Sequence, residues 1–286
     1  MTRDTESVLR KTNVFPYPGG KSYLAPWIID HIPDHDCYVE PFAGSAAVLT
    51  RKPESKVEVV NDRDGDITQF LITLRDNPTE LREWVETTPY SRDLHRKYAN
   101  AYYSGYRPDD AVERAGRFFY LRYSQFAGKY RTKSGFRSGS TRNKAETLNR
   151  AASHLDAFAE RLQSVQIENR DYATVFDRFD GPRTVFYCDP PYVDEGDALY
   201  SGEEFNHQRF VSELESLEGE WLVSYTKLPD GLSDHHVVAK SQAQRMSDAH
   251  DDAKKQRVER LVCSFDPEQA TMFAGSNQAT LTGAQP

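Results

Sequence analysis

The chain has 286 residues, 38% of them hydrophobic and 12% aromatic, and a formal net charge of −8. That length suits one large domain or a core domain with an insertion, and no apolar run approaches the ~18 residues that would span a bilayer. The three cysteines, Cys37, Cys188 and Cys263, make no CxxC pair, and their odd number argues against a disulfide framework.

The charge is unevenly placed. Between Arg114 and Lys144 stand nine Lys/Arg and no Asp or Glu, which leaves −17 on the remainder. A basic block in an acidic chain points to a polyanion contact there. The acidic remainder fits a surface kept soluble in high salt. No metal site is expected: Pro33 separates His31 from His35, and the adjacent His235 and His236 would face opposite ways in a strand.

In chain order, "MTRDTESVLRKTN" is polar, lacks the apolar stretch of a signal peptide and reads as a frayed leader. With reduced cysteines this makes the cytoplasm the expected compartment. Residues 20–32 carry Leu24, Trp27, Ile28 and Ile32 on helical spacing. "CYVE" (37–40) is a short strand that opens into the turn "PFAGSA" (41–46) and then a helix start at Ala47-Val48-Leu49. "KVEVVND" (56–62) is a second strand, on the spacing of a short βαβ unit.

The pattern then turns helical at 66–78, 78–88, 91–103 and 108–126. Residues 127–140, with three glycines among basic and aromatic residues, are a loop or a β-hairpin. Residues 143–162 read as one helix that opens on the capping pair Asn143 and Glu146. Strand patterns return at 164–169, 184–189, 220–226 and 257–265, with a helix at 205–217. The stretch 247–257 is a charge-dense, mobile loop. The expected organisation is one α/β domain from 1–66 and 161–286, carrying a mostly helical insertion over 67–160.

Three motifs carry chemistry. "YPGGKS" (17–22) is not a phosphate-binding P-loop, because Phe15 stands where that motif needs glycine. It is a Gly-rich helix entry with an exposed lysine, or a loop that presents Lys21 to a ligand. In "VEPFAGSAAV" (39–48) the small residues around Gly44 let a ligand approach the backbone. No GxGxxG is present, so a dinucleotide pyrophosphate is not expected. Asp62, at the end of the second strand, can accept from two ribose hydroxyls or cap the next helix. Glycine turn and acidic strand end together point to a nucleoside ligand without a pyrophosphate.

The third motif is "DPPY" (189–192), at the carboxyl end of a strand where open α/β sheets bind ligands. Neither proline has an N–H, Asp189 adds a carboxylate, and Tyr192 adds a flat face. Two acceptors and a stacking ring suit the exocyclic amine of a nucleobase. When Asp189 and the Pro190 carbonyl each take one amino hydrogen, the nitrogen pyramidalises and its lone pair leaves the ring plane. A base reaches such a pocket only by leaving its duplex.

The ordered set "PYPGGK" (16–21), "EPFAGSA" (40–46), "VNDRD" (60–64), the basic block, "NRDY" (169–172) and "DPPY" resembles the alpha-class, Dam-type DNA adenine N6-methyltransferases over residues 15–275. The resemblance implies a Rossmann-like α/β core, S-adenosylmethionine as methyl donor, double-stranded DNA as substrate, an inserted helical target-recognition domain and a monomer. By position it implies Tyr17, Lys21, Glu40, Phe42, Ala43, Gly44, Asp62 and Asp171 at the cofactor. Asp189, Pro190 and Tyr192 would be catalytic. Ala46 departs from the family, which often has glycine there. Arg122, Lys129, Arg131, Lys133 and Arg137 in the basic block are expected at DNA, while Phe118, Phe119 and Leu121 are expected to be helix core. The rivals are N4-cytosine methylation, an RNA adenine target and a catalytically silent DNA-binding relic.

Overall fold

The computed structural model describes residues 2–126, 132–192, 205–243 and 256–267. In chain order the first elements are α1 (Arg3–Lys11), α2 (Ala25–Ile29), β1 (Cys37–Glu40), β2 (Val57–Asn61), α3 (Gly65–Asp76), α4 (Pro78–Thr87), α5 (Arg92–Tyr103) and α6 (Ala111–Ser124). They are followed by α7 (Lys144–Ala152), α8 (Leu155–Leu162), β3 (Val165–Glu168), α9 (Tyr172–Phe179), β4 (Thr184–Cys188), α10 (His207–Glu215), β5 (Glu220–Tyr225), β6 (His236–Ala243) and β7 (Gln256–Cys263). The mixture is the α/β class expected. The chain divides into two compact units, Met1–Pro26 with Ala43–Asp171 and Trp27–Phe42 with Tyr172–Pro286.

In the first unit β2 and β3 run parallel, with Val60 opposite Ile167 and Asn61 opposite Glu168. Helices α3 and α6 pack through an aromatic cluster in which Phe15 meets Phe70 at 5.2 Å and Phe118 at 5.3 Å, both edge to face. Phe118, Phe119 and Leu121 are buried, as their helical spacing requires. The same unit holds a buried ion cluster. Glu58 accepts from Arg161 at 2.5 and 2.8 Å and from Lys52 at 2.7 Å. Burial alone would push the Glu58 carboxyl up, but the two cations hold it below its ordinary value.

In the second unit the strands run in the order β1-β4-β5-β7-β6. The first three are parallel, and β7 and β6 are antiparallel. All five residues of β4 are buried. That is why "TVFYC" reads as an unbroken apolar run, the mark of a strand covered on both faces. Phe176 of α9 covers Phe186 at 5.1 Å.

Several elements differ from expectation. The polar N-terminus is helix α1, not a frayed leader. Thr2 caps it, acids occupy its first turn and bases its last, and Thr5 Oγ1 donates to Glu160 at 2.8 Å. The expected helix start at Ala47 is a series of turns, because Gly44 and Ala46 both have positive φ and interrupt helical continuity. Residues 143–162 form two helices, α7 and α8, separated at Ser153 and His154, whose ψ values of −10° and −7° depart from the helix. Helix α9 and strand β6 add to the elements expected. Most of the charged stretch 247–257 lies outside the described residues.

Candidate functional site

In the first unit the segment Tyr17–Gly20 is a turn closed by the Gly20 N–H on the Tyr17 carbonyl at 3.1 Å. Pro18 and then Gly19, with φ +74°, are the residues a type II turn demands. Lys21 is buried and donates to the Gly19 carbonyl at 3.1 Å, so its ammonium folds back on the turn instead of standing exposed.

The glycine-containing turn lies against this segment. Gly44 has φ +50°, and a Cβ there would meet Tyr17 Cε1 at 3.0 Å and Cδ1 at 3.1 Å. Backbone and ring touch where any side chain would intrude. The Gly44 N–H donates to Asp62 Oδ2 at 2.9 Å, the Asp64 N–H to Asp62 Oδ1 at 2.9 Å, and the Ala43 N–H to the Asn61 carbonyl at 2.8 Å. Asp62 is therefore a turn anchor. The cap of the next helix is Asp64 instead, whose side chain accepts from the Asp66 N–H at 2.9 Å. Ala46 is fully buried with φ +49°, which is the backbone that makes glycine the common residue at its place.

Sequence pattern does not single out Asn61, yet it holds the backbone of Arg170, the residue before Asp171. Asn61 Oδ1 accepts from the Arg170 N–H at 2.8 Å and its Nδ2 donates to the Arg170 carbonyl at 3.1 Å. Asn169 Nδ2 reaches the Asp62 carbonyl at 2.7 Å. Asp62 and Asp171, 109 residues apart, are thus tied to adjacent strand ends of β2 and β3.

In the second unit Glu40 is buried and accepts from Tyr38 Oη at 2.8 Å. Phe42 joins an aromatic cluster with Tyr172 at 5.5 Å and Phe210 at 5.6 Å. Asp189 is half-buried and follows the last residue of β4, and Pro190 and Tyr192 are buried. The Tyr192 hydroxyl donates to Glu259 Oε1 on β7, and its ring lies 5.7 Å from that of Tyr225. Tyr225 Oη meets His207 Nδ1 at 3.0 Å, and Tyr187 Oη meets Ser224 Oγ at 2.9 Å. Burial above all, and then the Asp189 charge, push Tyr187, Cys188 and Tyr192 well above their ordinary ranges. These groups stay neutral around the carboxylate at any working pH.

A sequence profile of the D12 class N6 adenine-specific DNA methyltransferases matches residues 17–228. The chain belongs to this family. It is 27% identical to a DNA adenine methylase of Salmonella typhi over 287 residues, 92% of this chain and 99% of the relative. It is 30% identical to a DNA adenine methylase of Escherichia coli strain K12 over 195 residues, 65% of this chain and 66% of the relative. A DNA N-6-adenine-methyltransferase of Escherichia phage P1 is 26% identical over 71% of this chain and 28% of its own length.

In a D12 methyltransferase the basic block is the part expected at DNA, and the structure sorts its residues. Arg122 is 1% exposed, with its guanidinium 5.0 Å above the Phe118 ring. In this structure it is enclosed in the helical layer, unlike the exposed cations expected at DNA. Lys133 is exposed and donates to Asn100 Oδ1 at 2.5 Å, and Arg137 is half-buried. Lys129 and Arg131 lie outside the described residues.

A hairpin base is visible. Gln125 bridges Phe136 in antiparallel fashion, and the Phe126 N–H donates to the Gly135 carbonyl at 2.8 Å. His95, which sequence pattern does not mark, holds that base. Its Nε2 meets the Ser134 carbonyl at 3.1 Å, an atom that only accepts, so Nε2 carries the proton. Nδ1 then accepts from Ser124 Oγ at 2.9 Å. Burial lowers the His95 pKa, in keeping with that neutral tautomer.

Among the described residues no helix is long and apolar enough to cross a membrane, and no three His, Cys, Asp or Glu stand together as metal ligands.

Proposed function

We propose that the protein transfers a methyl group from S-adenosylmethionine to the N6 amine of an adenine flipped out of double-stranded DNA. The observation that carries this reading is Asp189: a half-buried carboxylate at the end of a fully buried parallel strand, followed by two prolines and a tyrosine whose hydroxyl is anchored.

The first unit's residues fit the donor. Gly44 sets its bare backbone against the Tyr17 ring at the turn that the donor would border. The Asp62 carboxylate is fixed at the tip of β2, where it can accept from ribose hydroxyls. Asp171 would accept from the adenine amine of the donor. Tyr17, Lys21 and Ala43 would border it. S-adenosylmethionine supplies a methyl group made electrophilic by its sulfonium.

The chain's own residues prepare the acceptor amine. Asp189 and the Pro190 carbonyl each take one hydrogen bond from N6, which turns its lone pair out of the ring plane. Positive charge grows on N6 as it gains the methyl, whose bond to the donor sulfur breaks and leaves its electron pair on a neutral thioether. The Asp189 carboxylate stabilises the charge on N6 until one N6 proton passes to solvent. Tyr192 would hold the flipped ring by stacking. Residues 67–160, helical and basic, would serve as the target-recognition insertion, with Lys133 and Arg137 among the residues that meet DNA.

Incubation of duplex DNA with the protein and S-adenosylmethionine, followed by digestion and separation of nucleosides, tests the reading. N6-methyladenine is the expected product. N4-methylcytosine alone would transfer the assignment to the cytosine-modifying rival, and no modified base would leave a DNA-binding relic.

A further inference from the structure

We propose that Glu259 is a positioning residue for methyl transfer: by accepting the Tyr192 hydroxyl it fixes the ring against which the target base stacks. This role rests on the function proposed above. Glu259 stands on β7, 67 residues after Tyr192, and is 4% exposed in a strand that continues with Leu261, Val262 and Cys263, all fully buried. A carboxylate in that company is costly unless it is hydrogen-bonded, and the Tyr192 hydroxyl is a donor that it uses.

Stacking alone needs only a flat ring, which phenylalanine would supply. The hydroxyl of Tyr192 has its purpose in the contact with Glu259. A tyrosine ring turns about two torsions: holding its hydroxyl, which lies on the axis of the second, fixes the first, and packing against the Tyr225 ring restricts the second. The Tyr225 ring, 5.7 Å away and itself held through its hydroxyl by His207, supports Tyr192 from the side. Glu259 and Tyr225 together set where the ring sits, and neither needs to touch the base. Methyl transfer demands alignment of amine and methyl, and displacement of about 1 Å costs up to about a hundredfold in rate.

The test is a double-mutant cycle in the full-length protein with Glu259→Ala, Glu259→Gln and Tyr192→Phe. Single-turnover methylation, S-adenosylmethionine binding and the 13Cζ signal of Tyr192 in tyrosine-labelled protein are the readouts. Glu259→Ala should slow methyl transfer by roughly 10- to 100-fold with donor affinity unchanged. Glu259→Gln, which retains an acceptor oxygen, should recover most of the rate. In the Tyr192→Phe background either Glu259 change should add less than about twofold, since the two residues then act as one unit.

Multiplicative losses in the cycle, or equal losses in Ala and Gln, would overturn the positioning role. Should Glu259→Ala fail to fold, the 13Cζ signal of Tyr192 in Glu259→Gln still decides the contact. The 13Cζ signal, assigned by its absence in Tyr192→Phe, should move in Glu259→Gln, and an unmoved signal would overturn the contact whatever the reaction. A wild-type protein that modifies no base would sink the proposed function instead, and the two failures are thereby distinct.

Discussion

The Gly44 amide and the Asp62 carboxylate, 18 residues apart, are joined by a 2.9 Å hydrogen bond, so the turn at 43–46 is tied to the tip of β2. One Asp62 oxygen takes this bond and the other takes the Asp64 N–H. A carboxylate oxygen can accept more than one hydrogen bond, and a ribose hydroxyl is the further donor proposed for Asp62. Asp62→Ala should therefore raise the Kd for S-adenosylmethionine by about 10- to 100-fold, or roughly 1.4–2.8 kcal/mol. Asp62→Asn, which keeps an oxygen for Gly44, should recover part of that loss. Isothermal titration of the donor decides it, and an unchanged Kd would reduce Asp62 to a turn anchor.

How far this arrangement is legible in the sequence depends on the kind of information each residue needs. Gly44, Asp62 and Asp189 are readable because they sit at strand ends, and strand ends follow from alternating and continuous apolar runs. Asn61, His95 and Glu259 are not. Each acts through a partner 29 to 109 residues away, and nothing local marks a pairing at that distance. Arg122 shows the opposite case, a residue whose burial its sequence neighbours do not reveal. Its place in a run of nine cations gives it the look of a DNA-binding residue, but helical phase turns it onto Phe118. Helix α1 is hidden by its polarity, because only one stripe of it is buried, at Thr5 and Leu9.

The buried cluster in the first unit gives a pH dependence with a definite sign. Arg161 and Lys52 hold the Glu58 carboxyl below its ordinary range. A depressed folded-state pKa means that the contribution is fully present above the unfolded value of about 4.3 and is lost as pH falls through the folded value. Glu58→Gln leaves the fully buried Arg161 guanidinium without its counter-charge. It should cost about 3–5 kcal/mol at neutral pH, and the acid-induced loss of stability should be smaller than in the wild type. Urea denaturation at pH 7 and at several values below pH 5 measures both. An acid limb that is unchanged would assign that loss to other carboxylates.

At the end of β4 the expectation is kinetic. Asp189→Ala removes the carboxylate proposed to face the developing charge while the residues proposed to hold the donor, Tyr17, Gly44 and Asp62, remain. Single-turnover methylation should fall by at least about 10²–10³, with the Kd for S-adenosylmethionine changed little. Retention of more than about a tenth of the rate would remove charge stabilisation from the account of Asp189.

The last expectation separates surface cations from buried ones. Lys133 is exposed beside the hairpin base, whereas Arg122 is enclosed by Phe118 and Tyr102. A cation that no longer neutralises a duplex phosphate lowers the slope of log K against log salt by about 0.9. Lys133→Ala should therefore flatten the slope by about that amount, with methylation at saturating DNA unchanged. Arg122→Leu should lower thermal stability and leave the slope alone. Binding measured by fluorescence anisotropy over a series of KCl concentrations distinguishes the two. A flattened slope in Arg122→Leu would mean that this arginine leaves the core when DNA binds, and an unchanged slope in Lys133→Ala would take the hairpin base out of the phosphate interface.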